Sequence, residues 1–186
     1  HFYPAKFPDG LTFLCLARLI KSKGLQEYAE ACRLVKTKIP NARFLLGGAP
    51  DMHDDSIDIK EIQNQWMDEY GIEYLGFVDD PREAIKRSSV YMLLSYNEGT
   101  PRTVLEAMAM GRPIITTDAN GCRETVKNGE NGFLVPVFDH KKAAAFMEKF
   151  TDKTILHNMG SASRDYCEEK YDVHKVNNEI FKILSI

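Results

Sequence analysis

Charged side chains of the types that bind phosphate and sugar follow two apolar runs of this sequence. Arg18 and Lys23 come after one run, and Glu98 and Glu106 come after another. A guanidinium makes bidentate contacts to phosphate, and a lysine ammonium supplies a mobile positive charge. Carboxylates accept hydrogen bonds from sugar hydroxyls. These residue types predict a ligand that carries both phosphate and sugar.

The turn around Gly99 and Pro101 predicts a helix that begins near Thr103. The free N–H groups of a helix start form a site for anions. Glu106 lies about one turn further, roughly 4.5 Å along the helix axis, and could accept hydrogen bonds from a sugar attached to a bound phosphate.

A purely structural interpretation remains open for these residues. Arg18 and Lys23 alone are also typical of a solvated basic turn, and isolated surface charges contribute little to stability. Glu98 and Glu106 could face solvent. A buried type of strand leading directly into Glu98 and Gly99 favours the functional interpretation over this one.

The elements around these loops alternate between short β-rich runs and amphipathic helical runs. Such alternation predicts an α/β, Rossmann-like, doubly wound parallel sheet of about six strands with helices on both faces. Ligands of such folds bind at the carboxyl ends of the strands. The predicted strands are Leu11–Leu16, Arg43–Leu46, Glu73–Leu75, Val90–Leu94, Ile114–Thr117 and Gly132–Val135.

The composition indicates one globular domain and argues against nucleic acid as a partner. The 186 residues are 44% hydrophobic and 27% charged, with a formal net charge of -3 and a pI near 6.0. Nucleic-acid-binding domains usually carry a basic stripe or a pI above about 9. The sequence begins without an initiator Met or a basic and apolar leader, so we expect it to be part of a longer protein.

Cysteine and acidic residues do not form a recognised metal motif. The four cysteines are widely spaced, as in reduced thiols of a cytosolic protein. The nearest acidic cluster has no recognised ligand spacing and predicts a solvated loop, and we expect no metal site. Its residues are Asp51, His53, Asp54, Asp55 and Asp58.

Several nucleotide and hydrolase motifs are absent from the sequence. These are the Gly-x-Gly-x-x-Gly fingerprint of dinucleotide-binding proteins, the Walker pattern of NTPases and the Gly-x-Ser-x-Gly elbow of α/β-hydrolases. The metal-holding motif Asp-x-Asp is also absent.

Taken in order, the motifs resemble the C-terminal domain of the GT-B-fold retaining glycosyltransferases called group 1 or family 4. The resemblance covers almost the whole chain and implies that residues 1–186 form one nucleotide-sugar-binding domain. Ala17 and the turn Thr100-Pro101-Arg102 depart from the commoner family pattern. The resemblance rests on Arg18-Leu19, Lys23-Gly24, Gly47-Gly48, Gly76-Phe77-Val78, Glu98 with Glu106, Gly111-Arg112-Pro113-Ile114-Ile115, Gly121 with Glu124, and Asn128 to Val135.

The resemblance implies a role for each matching residue. Arg18 and Lys23 would bind the donor diphosphate, Glu98 would contact the donor sugar, and Glu106 would hold the ribose hydroxyls, with Arg18, Lys23 and Glu98 as the catalytic group. The remaining donor-binding positions would be Gly76, Phe77 and Val78 beside the base, and Gly99, Thr100, Thr103 and Val104 at the sugar and phosphates.

The implied function is donor binding for a retaining transferase that uses no metal or other cofactor. The sequence from Gly121 to Glu124 is most similar to that of bacterial enzymes that build capsule, O-antigen or lipid-linked glycans from UDP-sugars. The acceptor, a glycan or lipid-linked sugar, would bind an N-terminal domain absent from this chain, so the chain alone would be inactive. The resemblance further implies that the full-length protein is cytoplasmic and could associate peripherally with the inner face of the membrane. The alternatives are a non-catalytic nucleotide-binding module and a GT-B-fold sugar-nucleotide epimerase.

Overall fold

Six parallel strands form a single sheet in the order β3-β2-β1-β4-β5-β6. The computed structural model describes residues 2–51 and 55–184. The predicted fold class is confirmed, and each predicted strand end lies within one residue of the observed end. The strands are β1 (Thr12–Leu16), β2 (Arg43–Gly47), β3 (Ile72–Tyr74), β4 (Val90–Leu93), β5 (Ile114–Thr117) and β6 (Gly132–Val135).

Helices cover the sheet and continue past its last strand. A short π-helix, Ile62–Met67, extends α2, and 3-10 helices span Lys21–Lys23 and Arg123–Thr125. No helix among residues 2–51 and 55–184 has the length and apolar character needed to cross a membrane. The α-helices are α1 (Leu25–Lys38), α2 (Ile59–Glu61), α3 (Pro81–Lys86), α4 (Arg102–Ala109), α5 (His140–Lys149), α6 (Lys153–Lys170) and α7 (Val173–Leu184).

The strand order explains why both faces of the sheet are covered. From β1 the chain moves to β2 on one side, whereas from β4 it moves to β5 on the other. Right-handed crossovers in opposite directions place α1 and α4 on opposite faces. Accordingly α1 packs against α5, and α4 packs against α3 and α6. The strand order reverses between β1 and β4, which is where such folds bind ligands.

Side chains in the sequence determine where several helices begin. The Asp80 carboxylate accepts a hydrogen bond from the Arg82 N–H at 3.0 Å, with Pro81 as the first residue of α3. Asp139 and Asp152 cap α5 and α6 in the same way. Each cap satisfies an N–H that has no partner within its helix.

The second predicted helix differs from expectation in its winding. The apolar positions Ile59, Ile62, Trp66 and Tyr70 predicted one helix ended by Gly71. Only the first turn is α-helical, and the Tyr70 N–H bonds to the carbonyl oxygen of Gln65 at 3.2 Å, a π-type spacing. Ile62, Trp66 and Tyr70 are four residues apart, and this spacing keeps side chains near one face in either winding, so the pattern could not separate the two.

A fully buried cation, Arg112, holds the N-terminal segment against the domain. Its guanidinium donates to the carbonyl oxygens of Ala5 at 2.7 Å, Lys6 at 3.0 Å and Ile85 at 3.2 Å. The ring of Phe7 lies 4.8 Å from the guanidinium carbon. Burial lowers the pKa of Arg112 to about 10. Carbonyl oxygens and an aromatic face therefore solvate this cation in place of water.

The four cysteines are free and buried. Burial raises the pKa of the Cys15 thiol to about 12, because a thiolate would lose its hydration there. These positions suit packing rather than nucleophilic chemistry.

Candidate functional site

A cleft of about 420 Å³ opens at the carboxyl ends of β1, β2 and β3. Residues after each of these strands line it, together with the first turn of α4. A larger cavity of about 860 Å³ lies at the opposite end, beside Leu11 and Ser89, which precede β1 and β4. Parallel sheets of this topology bind ligands at the carboxyl ends, so the smaller cleft is the candidate site. Its lining residues with predicted roles are Arg18, Phe77, Val78, Thr103 and Glu106.

The loop after β1 holds Lys23 by a tight turn at Gly24. The 3-10 helix Lys21–Lys23 ends at Gly24, whose φ is 65°. A Cβ at this position would lie 2.0 Å from the carbonyl oxygen of Leu94, at the end of β4. Only glycine allows this left-handed conformation and this approach together. The turn thus brings the loop after β1 against the end of β4.

Lys23 and Glu98 form an ion pair at the point where the strand order reverses. Lys23 Nζ lies 2.6 Å from Glu98 Oε1, and both side chains are 15% exposed. The Glu98 N–H donates to the Asn120 carbonyl oxygen at 3.0 Å, which joins this loop to the one after β5. The Tyr96 N–H donates to the Ser22 carbonyl oxygen at 2.9 Å. Backbone hydrogen bonds therefore position both partners.

Arg18 reaches into the cleft from the other end of the same loop. Its side chain is 60% exposed, and its Nη1 lies 2.8 Å from Asp51 Oδ2. Asp51 itself is only 17% exposed. The prediction of a solvated acidic loop is therefore wrong for Asp51, which pairs with a site cation. His53 and Asp54 of that loop lie outside the described residues.

Glu106 lies in the wall of the cleft with Arg102 beside it. Its side chain is 12% exposed, and its Oε1 lies 3.2 Å from Nε of Arg102, one helical turn earlier. Burial raises the pKa of Glu106, while Arg102 acts in the opposite direction. The Thr103 hydroxyl donates to the Leu16 carbonyl oxygen at 3.4 Å and so ties the start of α4 to β1.

The loops after β2 and β3 form the opposite wall. Phe77 is 71% exposed at the cleft and leaves its ring face open to a flat ligand. A Cβ at Gly47 would lie 2.7 Å from a methyl carbon of Val78, so a larger residue there would have to displace that side chain. The Tyr74 hydroxyl donates to the Gly48 carbonyl oxygen at 2.8 Å and holds the loop after β2 against the end of β3.

The other predicted residues have more indirect positions. The side chain of Val104 is fully buried, and its N–H already donates to the Pro101 carbonyl oxygen at 3.0 Å. Gly76 accepts a hydrogen bond from the Gly48 N–H at 2.8 Å in the turn after β3. Gly99 and Thr100 are exposed between Glu98 and α4. Val104 therefore has neither an exposed side chain nor a free N–H for a ligand, whereas Gly99 and Thr100 are accessible.

Sequence reasoning missed three residues that support the site. Asp51 and Arg102 pair with predicted site residues, and Tyr91 lies beneath the cleft floor. The buried Tyr91 hydroxyl donates to the Leu16 carbonyl oxygen at 3.0 Å and accepts from the Leu16 N–H at 3.3 Å. A tyrosine in an otherwise aliphatic buried strand was the available signal for this contact. Among residues 2–51 and 55–184, no group of three or more His, Cys, Asp or Glu side chains could hold a metal.

Comparison with known proteins assigns the family. The family model for glycosyl transferases group 1 matches residues 10–152. The chain therefore belongs to the group 1 glycosyltransferases, and its fold is that of a GT-B C-terminal domain.

Two curated relatives are longer than this chain. It is 27% identical over 177 residues to the capsular polysaccharide biosynthesis glycosyltransferase CapM of Staphylococcus aureus, covering 92% of the chain and 45% of CapM. It is 32% identical over 175 residues to the Campylobacter jejuni N,N'-diacetylbacillosaminyl-diphospho-undecaprenol alpha-1,3-N-acetylgalactosaminyltransferase, covering 91% of the chain and 43% of that enzyme. The chain thus spans less than half the length of each.

A solved structure of a single domain matches the fold. The C-terminal domain of the group 1 glycosyl transferase LpcC from Francisella tularensis superposes with a TM-score of 0.80 and 26% sequence identity. The match covers 92% of this chain and 96% of that domain.

Proposed function

We propose that this domain binds the nucleotide-diphosphate part of a sugar donor, with UDP-sugar as the expected donor. The main observation behind this proposal is that Phe77, Glu106 and Arg18 line one cleft. An exposed aromatic ring suits a base, a carboxylate suits ribose hydroxyls, and a guanidinium suits phosphate. Together the three groups match the three parts of a nucleoside diphosphate, and all three line one cleft.

Within this proposal, Lys23 and the start of α4 complete the diphosphate site. Glycosyl transfer leaves negative charge on the departing β-phosphate, and cations and helix N–H groups placed beforehand stabilise that charge. Arg18, Lys23 and the N-terminus of α4 would supply this stabilisation, so we expect no requirement for a metal. Glu98 would contact the donor sugar next to Lys23.

Binding of the diphosphate would require rearrangement of existing ion pairs. Arg18 is paired with Asp51, and Lys23 with Glu98. An arriving diphosphate would compete with these carboxylates for the two cations. Because Arg18 is 60% exposed and Lys23 is 15% exposed, Arg18 would rearrange more easily.

For the whole protein, we propose retaining transfer of a hexose-type sugar to a glycan or lipid-linked acceptor in bacterial surface polysaccharide synthesis. The names of the two curated relatives, one capsular and one acting on a diphospho-undecaprenol-linked sugar, support this class of acceptor. A second domain would bind the acceptor, so the 186-residue chain would bind the donor without transferring its sugar.

The proposal is tested by calorimetric titration of the chain with UDP, GDP and ADP, each in EDTA and in magnesium. We expect one nucleoside diphosphate to bind, with a dissociation constant that changes less than about threefold between the two conditions. Binding that depends on magnesium would contradict the metal-free mechanism. If none of the three binds, donor binding by this domain is wrong.

A further inference from the structure

Arg102 is an exposed cation at the mouth of the candidate cleft. It is the first residue of α4, its side chain is 90% exposed, and it lines the same cleft as Glu106. Most of its N–H donors therefore face solvent, while its Nε lies 3.2 Å from a Glu106 carboxylate oxygen. The contact joins a residue of the rim to a residue of the wall.

The surroundings of Glu106 otherwise disfavour a negative charge. Its carboxylate is 12% exposed, and burial removes hydration that an ionised group needs. Asp80, before α3, adds repulsion, and the buried Tyr91 hydroxyl beneath contributes no positive charge. Asp79 and Arg18 also line the cleft, but Arg18 is engaged by Asp51 at 2.8 Å. Arg102 is thus the cation that contacts Glu106 and offsets these effects.

We propose that Arg102 is a positioning residue that keeps the Glu106 carboxylate ionised and oriented for the ribose hydroxyls of the donor. This inference rests on the proposed function, in which Glu106 contacts ribose. An ionised carboxylate accepts hydrogen bonds from two adjacent hydroxyls, whereas a protonated carboxyl uses one of its oxygens as a donor. A guanidinium stays charged at every pH that the protein meets, so it provides a constant field.

The pH dependence of binding follows from this arrangement. Burial raises the pKa of Glu106, so its carboxylate protonates as the pH falls through a higher value than usual. Removal of Arg102 would raise that pKa further. UDP binding by Arg102→Ala should therefore be lost at a higher pH than binding by the unmodified chain, while the two should converge at mildly alkaline pH, where Glu106 is ionised in both.

The experiment is titration with UDP across acidic to mildly alkaline pH. UDP binding is expected to fall as the pH is lowered, and for Arg102→Ala we expect the midpoint of this fall to lie higher by about half a pH unit or more. In Arg102→Lys the midpoint should return most of the way to that of the unmodified chain. In a Glu106→Gln background, Arg102→Ala should cause no further shift. Arg33→Ala is the matched control, because Arg33 forms an exposed ion pair with Glu30 on α1. Its midpoint should not move.

The possible outcomes separate this inference from the proposed function. If UDP binds but Arg102→Ala leaves the midpoint unchanged, Arg102 does not position Glu106. If Arg102→Ala weakens UDP equally at every pH, Arg102 contacts the ligand directly, and the positioning role is also wrong. If the unmodified chain binds no nucleoside diphosphate at any pH, the proposed function itself fails.

Discussion

Lys23 and Glu98 stand 75 residues apart in the chain, yet their charged groups meet at 2.6 Å. Each belongs to a loop at the carboxyl end of one of the two central strands, β1 and β4. Both side chains are 15% exposed, so the pair is shielded from much of the solvent and its screening ions. Within the proposed function, an arriving phosphate would have to compete with the Glu98 carboxylate for this cation.

The first prediction concerns diphosphate binding by Arg18 and Lys23. A charge-assisted hydrogen bond contributes about 1.5–3 kcal/mol, so Arg18→Ala or Lys23→Ala should weaken UDP binding by roughly tenfold to a hundredfold. Binding of uridine should barely change. Calorimetric titration with both ligands at two salt concentrations measures this difference. Small losses of affinity that disappear at high salt would instead support the interpretation of this loop as a solvated basic turn.

A second prediction separates the same two residues by stability. Lys23→Ala leaves the Glu98 carboxylate, 15% exposed, without its ion-pair partner, and should lower the free energy of unfolding by about 1–3 kcal/mol. Arg18 is 60% exposed, so water can take its place beside Asp51, which is 17% exposed, and Arg18→Ala should cost less than Lys23→Ala, about 1 kcal/mol. Urea denaturation measures both values. Equal losses would mean that the Lys23–Glu98 pair is no more stabilising than a surface pair.

The third prediction assigns Glu106 to the ribose. Glu106→Ala should weaken UDP binding but leave binding of inorganic diphosphate nearly unchanged, because the carboxylate would contact hydroxyls and not phosphate. Competition titrations with the two ligands provide the comparison. Asp118→Ala is a suitable control, since Asp118 pairs with Arg123 after β5, outside the cleft. Equal losses for UDP and diphosphate would refute a ribose contact.

Much of the fold could be predicted because the determining signals are local. Ile114–Thr117 and Gly132–Val135 match the observed strands residue for residue, since each apolar run ends at a polar or turn residue. Capping residues such as Asp80 and Pro81 likewise mark helix starts in the sequence itself. The π-helix was not predictable, because its side chains share one face in either winding.

The site was predictable to the level of strand ends but not of side-chain partners. Parallel topology brings the loops of Lys23 and Glu98 to one edge, so their proximity follows from the strand order. The pairing of Arg18 with Asp51 depends on the path of an irregular loop after β2, for which the sequence has no periodic signal. The contact of Arg102 with Glu106 has the spacing of helical ion pairs, but its importance depends on the burial of Glu106.

The last prediction concerns Gly121, which shapes the backbone beneath Glu98. Its φ is 75°, and a Cβ there would lie 1.7 Å from the Gly99 carbonyl oxygen and 2.2 Å from that of Glu98. Gly129 has a similar φ of 86° with nothing within 4 Å of its Cβ position, so Gly129→Ala isolates the conformational cost of about 1 kcal/mol. Gly121→Ala must also displace backbone, and should cost about 3 kcal/mol or more in urea denaturation.

Because the displaced segment carries Glu98, UDP-sugar binding should weaken in Gly121→Ala and stay unchanged in Gly129→Ala. Equal stability losses in the two variants would show that the loop after β5 does not press against Glu98 and Gly99.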